Sequence, residues 1–554
     1  MSTLTARRPS AVTYQHRETV AIPANVHYAG LILQPDSSPI SPDQLAAEIK
    51  GIYAGLVTVE AKCINIDAAQ AADPKSKLGP EQWQALIAVH RTLLYEHHDF
   101  MMATQHPSAT PMLRGLPMKY SMPARMWKHG IHAFLEVLRH RRPDSQDYML
   151  SFIYLAYQMM ALLYETVPAF LDTWIECLGD LARYRMAIEE EKEPHAQWGG
   201  VAATWYTKAA DRHPQVGRLY HHLGILERPS LRKFACYSKS LTCVVSFPNA
   251  RDSMATLCNP IAASKEPMKS TIHSTEASFC FLHALLFLQA GSDTLQKAMT
   301  TAITSLQTSE SFPWKDCGVP LAITNISALL GHGSALNALR IGYDLTIYRA
   351  HSRERPCYPG LIVPTTANAS ASTVLDAERS DSNQLLLVAR TITLSTLETA
   401  SRPHSDASIP DVLPFMHVML CFLHSLHLIK REKLQMSTPA DLLDKVNWSS
   451  LATFLNSVLR LNSLTQHVEQ CARNGGWLFG DTGKACALPE DYSTHGLVWT
   501  FFAFIPGWFD AEADELARIA ETEATPKMRA DRAVYYGLRL AFVSYNHPRT
   551  GYLH

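Results

Sequence analysis

Apolar residues recur every three or four positions along most of the chain, a spacing that predicts helices rather than strands. Within 124–139, Trp127, Ile131, Phe134, Leu135 and Leu138 make one stripe, the face such a helix turns toward a core. The opposite stripe is basic: Lys128, His132 and Arg139. His132 and Arg139 are two turns apart and point the same way. Similar stripes predict helices over 149–164, 314–330, 412–430, 448–461 and 511–522, and Asn474-Gly475-Gly476 predicts a sharp turn. The apolar runs 149–164 and 497–509 fall short of the roughly 20 residues a membrane span needs, so buried core helices are expected at both and no membrane partner.

The pattern lapses in two places. Residues 1–40 lack periodicity and contain Pro35-Asp36-Ser37-Ser38-Pro39, which predicts a mobile lead-in. Helical stripes alternate with short turns over 41–255, then resume over 256–350 and 411–554. Between these, 351–410 sets Pro356, Pro359-Gly360 and Pro364 among polar residues, and a loop or disordered insertion is expected.

One segment repeats another. Residues 217–250 read as a tetratricopeptide unit, with Tyr220, Leu223 and Gly224 in a first helix, small Cys236, Ser240 and Cys243 in a second, and Pro248 closing it. A preceding unit is split: Leu178-Gly179 opens it, Ala202, Tyr206, Ala209 and Pro214 close it, and the acidic stretch 188–198 is inserted between. Small residues at these spacings let antiparallel helices approach closely. Tyr220, His221 and His222 are candidates to line a peptide groove.

Composition narrows the function classes. Lys and Arg total 50 against 51 Asp and Glu, a net charge of −1 over 554 residues, whereas indiscriminate binding to a phosphate backbone calls for basic excess. Basic patches at His140-Arg141-Arg142 and over 228–233 leave room only for weak or indirect nucleic-acid contact. Eleven cysteines without a Cys-x-x-Cys pair suit a reducing compartment. His97 and His98, about 100° apart on a helix, cannot share one ion easily, and no metal site or cofactor is expected. No P-loop, dinucleotide fingerprint, Gly-x-Ser-x-Gly elbow or His-Glu-x-x-His is present, so neither catalytic residues nor an enzyme are expected.

The segment Gly179-Asp180-Leu181-Ala182-Arg183-Tyr184 resembles the phosphate-gripping helix of 14-3-3 proteins. A guanidinium fork can engage two phosphate oxygens and a phenol adds a neutral donor. By the same resemblance Arg139 matches a second pocket arginine, and His132 stands where those proteins carry lysine. An ordinary imidazole is mostly neutral near pH 7; Lys128, one turn earlier, is the alternative cation. The phosphate-binding candidates are therefore Arg139, Arg183, Tyr184, His132 and Lys128. This reading requires the two guanidiniums to enclose one hollow and not to be tied up by acidic neighbours.

A wider resemblance takes in Gly179 to Arg185, Trp205-Tyr206-x-x-Ala209, Pro214-x-x-Gly217-x-x-Tyr220-x-x-Leu223, Ser238-Lys239-Ser240-Leu241 and Phe247-Pro248-Asn249-Ala250. It continues more loosely through 279–287, Trp448-x-x-Leu451-x-x-Phe454, Leu488-Pro489-Glu490-Asp491 and Gly537 to Ala541. These residues are similar to the EST/SMG family of telomerase-associated and nonsense-mediated decay proteins. The resemblance implies an all-α fold: a 14-3-3-like domain with embedded tetratricopeptide repeats over 41–255, then a helical-hairpin domain in two parts, 256–350 and 411–554. It implies a non-enzymatic adaptor in cytoplasm and nucleus that binds a phosphorylated protein, such as a decay helicase, together with other decay or telomerase factors. A PIN nuclease unit, found in some members, is not expected here. Two alternatives stay open: a telomerase-associated subunit binding single-stranded DNA or RNA, and a repeat scaffold with a degenerate pocket that binds unmodified peptides.

Overall fold

The computed structural model describes residues 40–74, 76–264, 273–309, 311–353, 384–431, 438–462, 466–476, 487–504, 508–509 and 525–545. The lead-in before residue 40, the segment 354–383 and the helix expected over 511–522 lie outside the described residues. The chain runs through α1 (Pro42–Ala72), α2 (Pro80–Thr104), the short α3 (Pro111–Arg114), α4 (Leu116–Lys119) and α5 (Met122–Arg125), a π-helical turn (Met126–His132), α6 (Ala133–His140), α7 (Gln146–Thr166), α8 (Leu171–Ile188), α9 (Lys192–Arg212), α10 (Gly217–Leu226), α11 (Leu231–Thr242) and α12 (Ala250–Ala263). It continues through α13 (Ser274–Phe287), α14 (Ser292–Thr308), α15 (Trp314–Leu329), α16 (Ala338–Arg353), α17 (Gln384–Ala400), α18 (Ile409–Arg431), α19 (Thr438–Asp444), α20 (Trp448–Leu461), α21 (Gln466–Asn474), α22 (Pro489–Thr494) and α23 (Thr525–Tyr545). The fold is all-α, as the periodicity predicts. Among the described residues the only β pairing is two isolated bridges, Val216 with Val245 and Cys243 with Leu497.

Local chemistry fixes the ends of the elements. Ser41 and Gln44 form a reciprocal capping box at the start of α1, which satisfies two orphan backbone donors. At the other end of α1, the Arg141 guanidinium donates to the carbonyls of Gln70, Asp73 and Ser76. Its neighbour Arg142 donates to Ala187 and Ile188 at the end of α8. A cation is favoured where helix carbonyls are unpaired. The basic patch at 140–142 is thus spent largely on holding helix ends. So is part of the second patch: Lys233 donates to the Glu227 carbonyl after α10, and Arg232 pairs with Asp316.

Two cores divide the molecule. One gathers residues from Leu45 to Ile188, the other residues from Leu231 to Leu540. The boundary expected at 255 therefore differs from the packing, because Leu231, Phe234 and Met254 of α11 and α12 belong to the second core. Smaller clusters around Ile175, Ala209 and Tyr220, and around Ala182, Ala202 and Tyr206, bridge them. Helix contact is close here. A Cβ on Gly179 would fall 2.8 Å from the Tyr206 ring, so no larger residue lets α8 and α9 approach this way.

Three local expectations change. The acidic stretch 188–198 does not interrupt the α8–α9 hairpin, because α9 begins at Lys192 and absorbs most of it. The second half of the expected 351–410 loop is α17, which buries Val388, Ala389, Ile392 and Leu397. The apolar run 497–509 is not a core helix: its described residues hold only a 3-10 turn, Val498–Thr500, and the long apolar helix is instead Ile409–Lys430 in α18, with mean hydropathy 1.8 and 83% of its apolar window buried inside the protein. At its centre His417 contacts Glu490 of α22, whose carboxylate also accepts from Arg529 of α23.

α22 and the residues after it lock onto the middle of the chain. Val244 N–H donates to the Gly496 carbonyl and Val245 N–H to the Gln215 carbonyl, both at 3.0 Å. The buried Lys239 ammonium donates to the Tyr492 carbonyl and lies 3.9 Å from the Tyr220 ring centroid. Gly496 has φ +86°, and a Cβ there would sit 1.8 Å from the Pro214 carbonyl oxygen.

Candidate functional site

The basic stripe begins in a π-helical turn rather than an α-helix. Gly130 packs against Leu94 of α2, and its carbonyl bonds the buried His90 ring 3.1 Å away. The wider turn alters the register assumed for Lys128, His132 and Arg139. All three are exposed, and His132 and Arg139, unlike Lys128, lie within reach of Tyr184 or its Glu136 partner. His132 lies beside Tyr184, with ring centroids 6.4 Å apart.

The structure brings α6 and α8 together at one carboxylate. Glu136 accepts from Arg139 Nε at 3.1 Å and Nη2 at 2.6 Å, and from the Tyr184 hydroxyl at 2.8 Å. Arg183 stacks over the Tyr184 ring, 5.4 Å from its centroid. Its guanidinium donates to Asp180 at 3.1 Å and to the Tyr206 hydroxyl at 3.2 Å. Tyr206 in turn donates to Asp180 at 2.6 Å.

Electrostatics follow from these contacts. Burial alone would raise the Glu136 carboxyl, but the bonds from Arg139 and Tyr184 outweigh it and hold the group below its usual range. Burial and the Glu136 carboxylate push the Tyr184 phenol upward, so it remains a donor. Burial works against the Arg183 charge, yet Tyr206 and Asp180 more than restore it. Arg139 and Tyr184 converge on the Glu136 carboxylate, but this is not the open cationic hollow that the sequence suggested, because both guanidiniums are tied up by acidic neighbours. Each guanidinium already holds an acid three residues earlier on its own helix.

Of the proposed groove residues, Tyr220 serves packing instead. Tyr220 is buried and donates to the Pro214 carbonyl at 2.9 Å, which removes it from any groove surface. His222 stacks on Tyr206 at 4.9 Å, and burial lowers it to about 4. His221 bonds Ser253 at 2.8 Å. Sequence reasoning missed Glu136 and Asp180, although their spacing three residues before each arginine is the standard signal of an intrahelical ion pair. In the sequence Tyr206 marks only a repeat position. Among the described residues no group of three or more His, Cys, Asp or Glu assembles for a metal.

Comparison with known proteins adds a similarity. The chain is 25% identical over 224 residues to EST/SMG-like protein 2 of Saccharomyces cerevisiae (strain ATCC 204508 / S288c). The matched stretch is similar to an EST/SMG-like protein. The match takes in 39% of this chain and 18% of that relative, so the chain spans far less than the length of the curated protein it matches. No family model matches. A solved structure titled "Structure of the C. elegans SMG5-SMG7 complex" is similar at TM-score 0.39 and 10% identity, covering 88% of this chain and 98% of that one.

Proposed function

We propose that this chain is a non-enzymatic EST/SMG-type adaptor, in mRNA surveillance or telomere maintenance in cytoplasm and nucleus, that docks a phosphoserine- or phosphothreonine-bearing protein segment at the α6–α8 junction. One observation carries the reading: donors from two separate helices, Arg139 and Tyr184, converge on a single oxyanion, the Glu136 carboxylate. A phosphate offers three acceptor oxygens and nearly twice the charge of a carboxylate, so it competes for the same donors while Glu136 swings aside. Arg183, partly exposed beside Tyr184, supplies the second cation. The expected partner is a phosphorylated decay or telomerase factor.

The pairing of both arginines favours a second reading, in which the same face takes unmodified peptide and the repeat-like hairpins α8–α9 and α10–α11 act as scaffold. Binding of one set of serine peptides to the full chain, with and without phosphate, decides between them. The proposal expects tighter binding of the phosphorylated set and loss of that preference in Arg183→Glu. Equal binding of both sets would overturn it in favour of the scaffold.

A further inference from the structure

A second surface, on the other helix pair that flanks α8, has the chemistry of a peptide track. Tyr157 and Tyr164 are two turns apart on α7; Trp198 and Trp205 are two turns apart on α9. These spacings align each pair along one face. The rings meet across the floor made by α8: Trp198 lies 6.5 Å from Tyr157, and Trp205 lies 5.6 Å from Tyr164. None of the four is fully buried, and Tyr154, at the Trp198 end, is 43% exposed.

The hydrogen-bond inventory of this strip is one-sided. The Tyr157 hydroxyl accepts from Trp205 Nε1 at 2.8 Å, Tyr164 accepts from Lys208 at 2.6 Å, and Tyr154 accepts from Arg185 at 3.5 Å. A phenol has one donor besides its lone pairs, and none of these three hydroxyls donates to a described residue. The Trp198 N–H likewise has no described partner. The strip therefore presents donors and aromatic faces to its ligand. Its ends differ in charge. Near Trp198, Arg185 is paired with Glu189, beside the exposed Glu190, Glu191 and Glu193. At the far end Lys208 sits over Tyr164 and Trp205 with no described carboxylate partner.

We propose that the α7–α9 strip binds a proline-rich segment in the polyproline II conformation, basic at one end and acidic at the other. Such a segment offers carbonyl acceptors and ring faces while its prolines bring no N–H donors, which matches a track of aromatic donors. From Trp198 to Lys208 the helix rises about 15 Å, the length of roughly five polyproline II residues at about 3.1 Å each. The run of glutamates at the Trp198 end disfavours a nucleic-acid backbone along the same path. This site is independent of the phosphate reading.

The test uses the full chain and two labelled heptapeptides, five prolines flanked by lysine and glutamate in either order, followed by fluorescence anisotropy. One orientation should saturate at micromolar to a few hundred micromolar concentration, on the order of −5 to −8 kcal/mol. Lys208→Glu should weaken it about tenfold, and Tyr164→Phe, which keeps the ring, several-fold. Arg139→Glu should leave it unchanged, which separates this site from the α6–α8 junction. The proposal is overturned if neither peptide saturates by about 1 mM, if both strip variants bind like the parent, or if a single-stranded RNA decamer binds in the peptides' place and depends on Lys208.

Discussion

The Tyr184 hydroxyl donates a 2.8 Å hydrogen bond to Glu136, so α6 and α8 are joined at the atoms where a bound phosphate would sit. The resident carboxylate is then a competitor for any anionic ligand. Glu136→Gln removes its charge but keeps an acceptor and the same shape. Phosphopeptide affinity should rise by about three- to tenfold, since a buried or half-buried like charge costs on the order of 1 kcal/mol or more. Calorimetric titration measures it; unchanged or weaker binding would show that Glu136 is part of the scaffold and not a placeholder.

His132 stands 6.4 Å from the Tyr184 ring, where a fixed cation would add to the grip. His132→Lys should tighten phosphopeptide binding several-fold by placing a permanent ammonium there. Unchanged affinity in a calorimetric titration would exclude His132 from the contact.

Arg141 closes the C-terminal end of α1 with bonds to three carbonyls. Arg141→Met keeps the apolar stem beside Trp83 but strands those acceptors. Chemical denaturation should register a loss of about 2–4 kcal/mol.

Acid should destabilise the fold early. Burial lowers His332 to about 3 and His97 and His283 to about 4. The unfolded chain takes up these protons first as pH falls below about 6.5, so the contribution is complete above that value and is lost toward the folded pKa values. Glu490, held down to about 2 where His417 and Arg529 outweigh burial, adds its own loss only below about 4.5. His332 has φ +49°, a conformation asparagine tolerates. His332→Asn should lower the slope of stability against pH by roughly 1 kcal/mol per unit between pH 6 and 5; an unaltered slope would place the proton uptake elsewhere.

Gly496 has no room for a side chain against Pro214. Gly496→Ala should cost about 3 kcal/mol or more and expose the segment around α22 to proteolysis, while the core built on α1 to α8 stays resistant. Fragment masses after brief digestion would report it.

The helices were legible because burial imposes a period that single residues cannot hide: Trp448–Leu461 has the bounds its stripe predicts. α17 escaped notice because polar and proline-rich residues precede it, and most of its buried positions are threonine or alanine rather than large apolar residues. The meeting of Arg139 with Tyr184 follows from a resemblance carried by six residues. The occupancy of that meeting point by Glu136 does not, since ion pairing is decided by side-chain rotamers that no motif records. Tyr220 was misplaced for a related reason: its spacing puts it on a repeat face, but the fold covers that face with the backbone of residues 492–496.

The bridge from Cys243 to Leu497 sets a timetable for synthesis. A ribosome adding about 5–20 residues per second releases the α10–α11 hairpin tens of seconds before the bridging segment that seals it. Until then, one side of that hairpin stands open to chaperones or to neighbouring nascent chains.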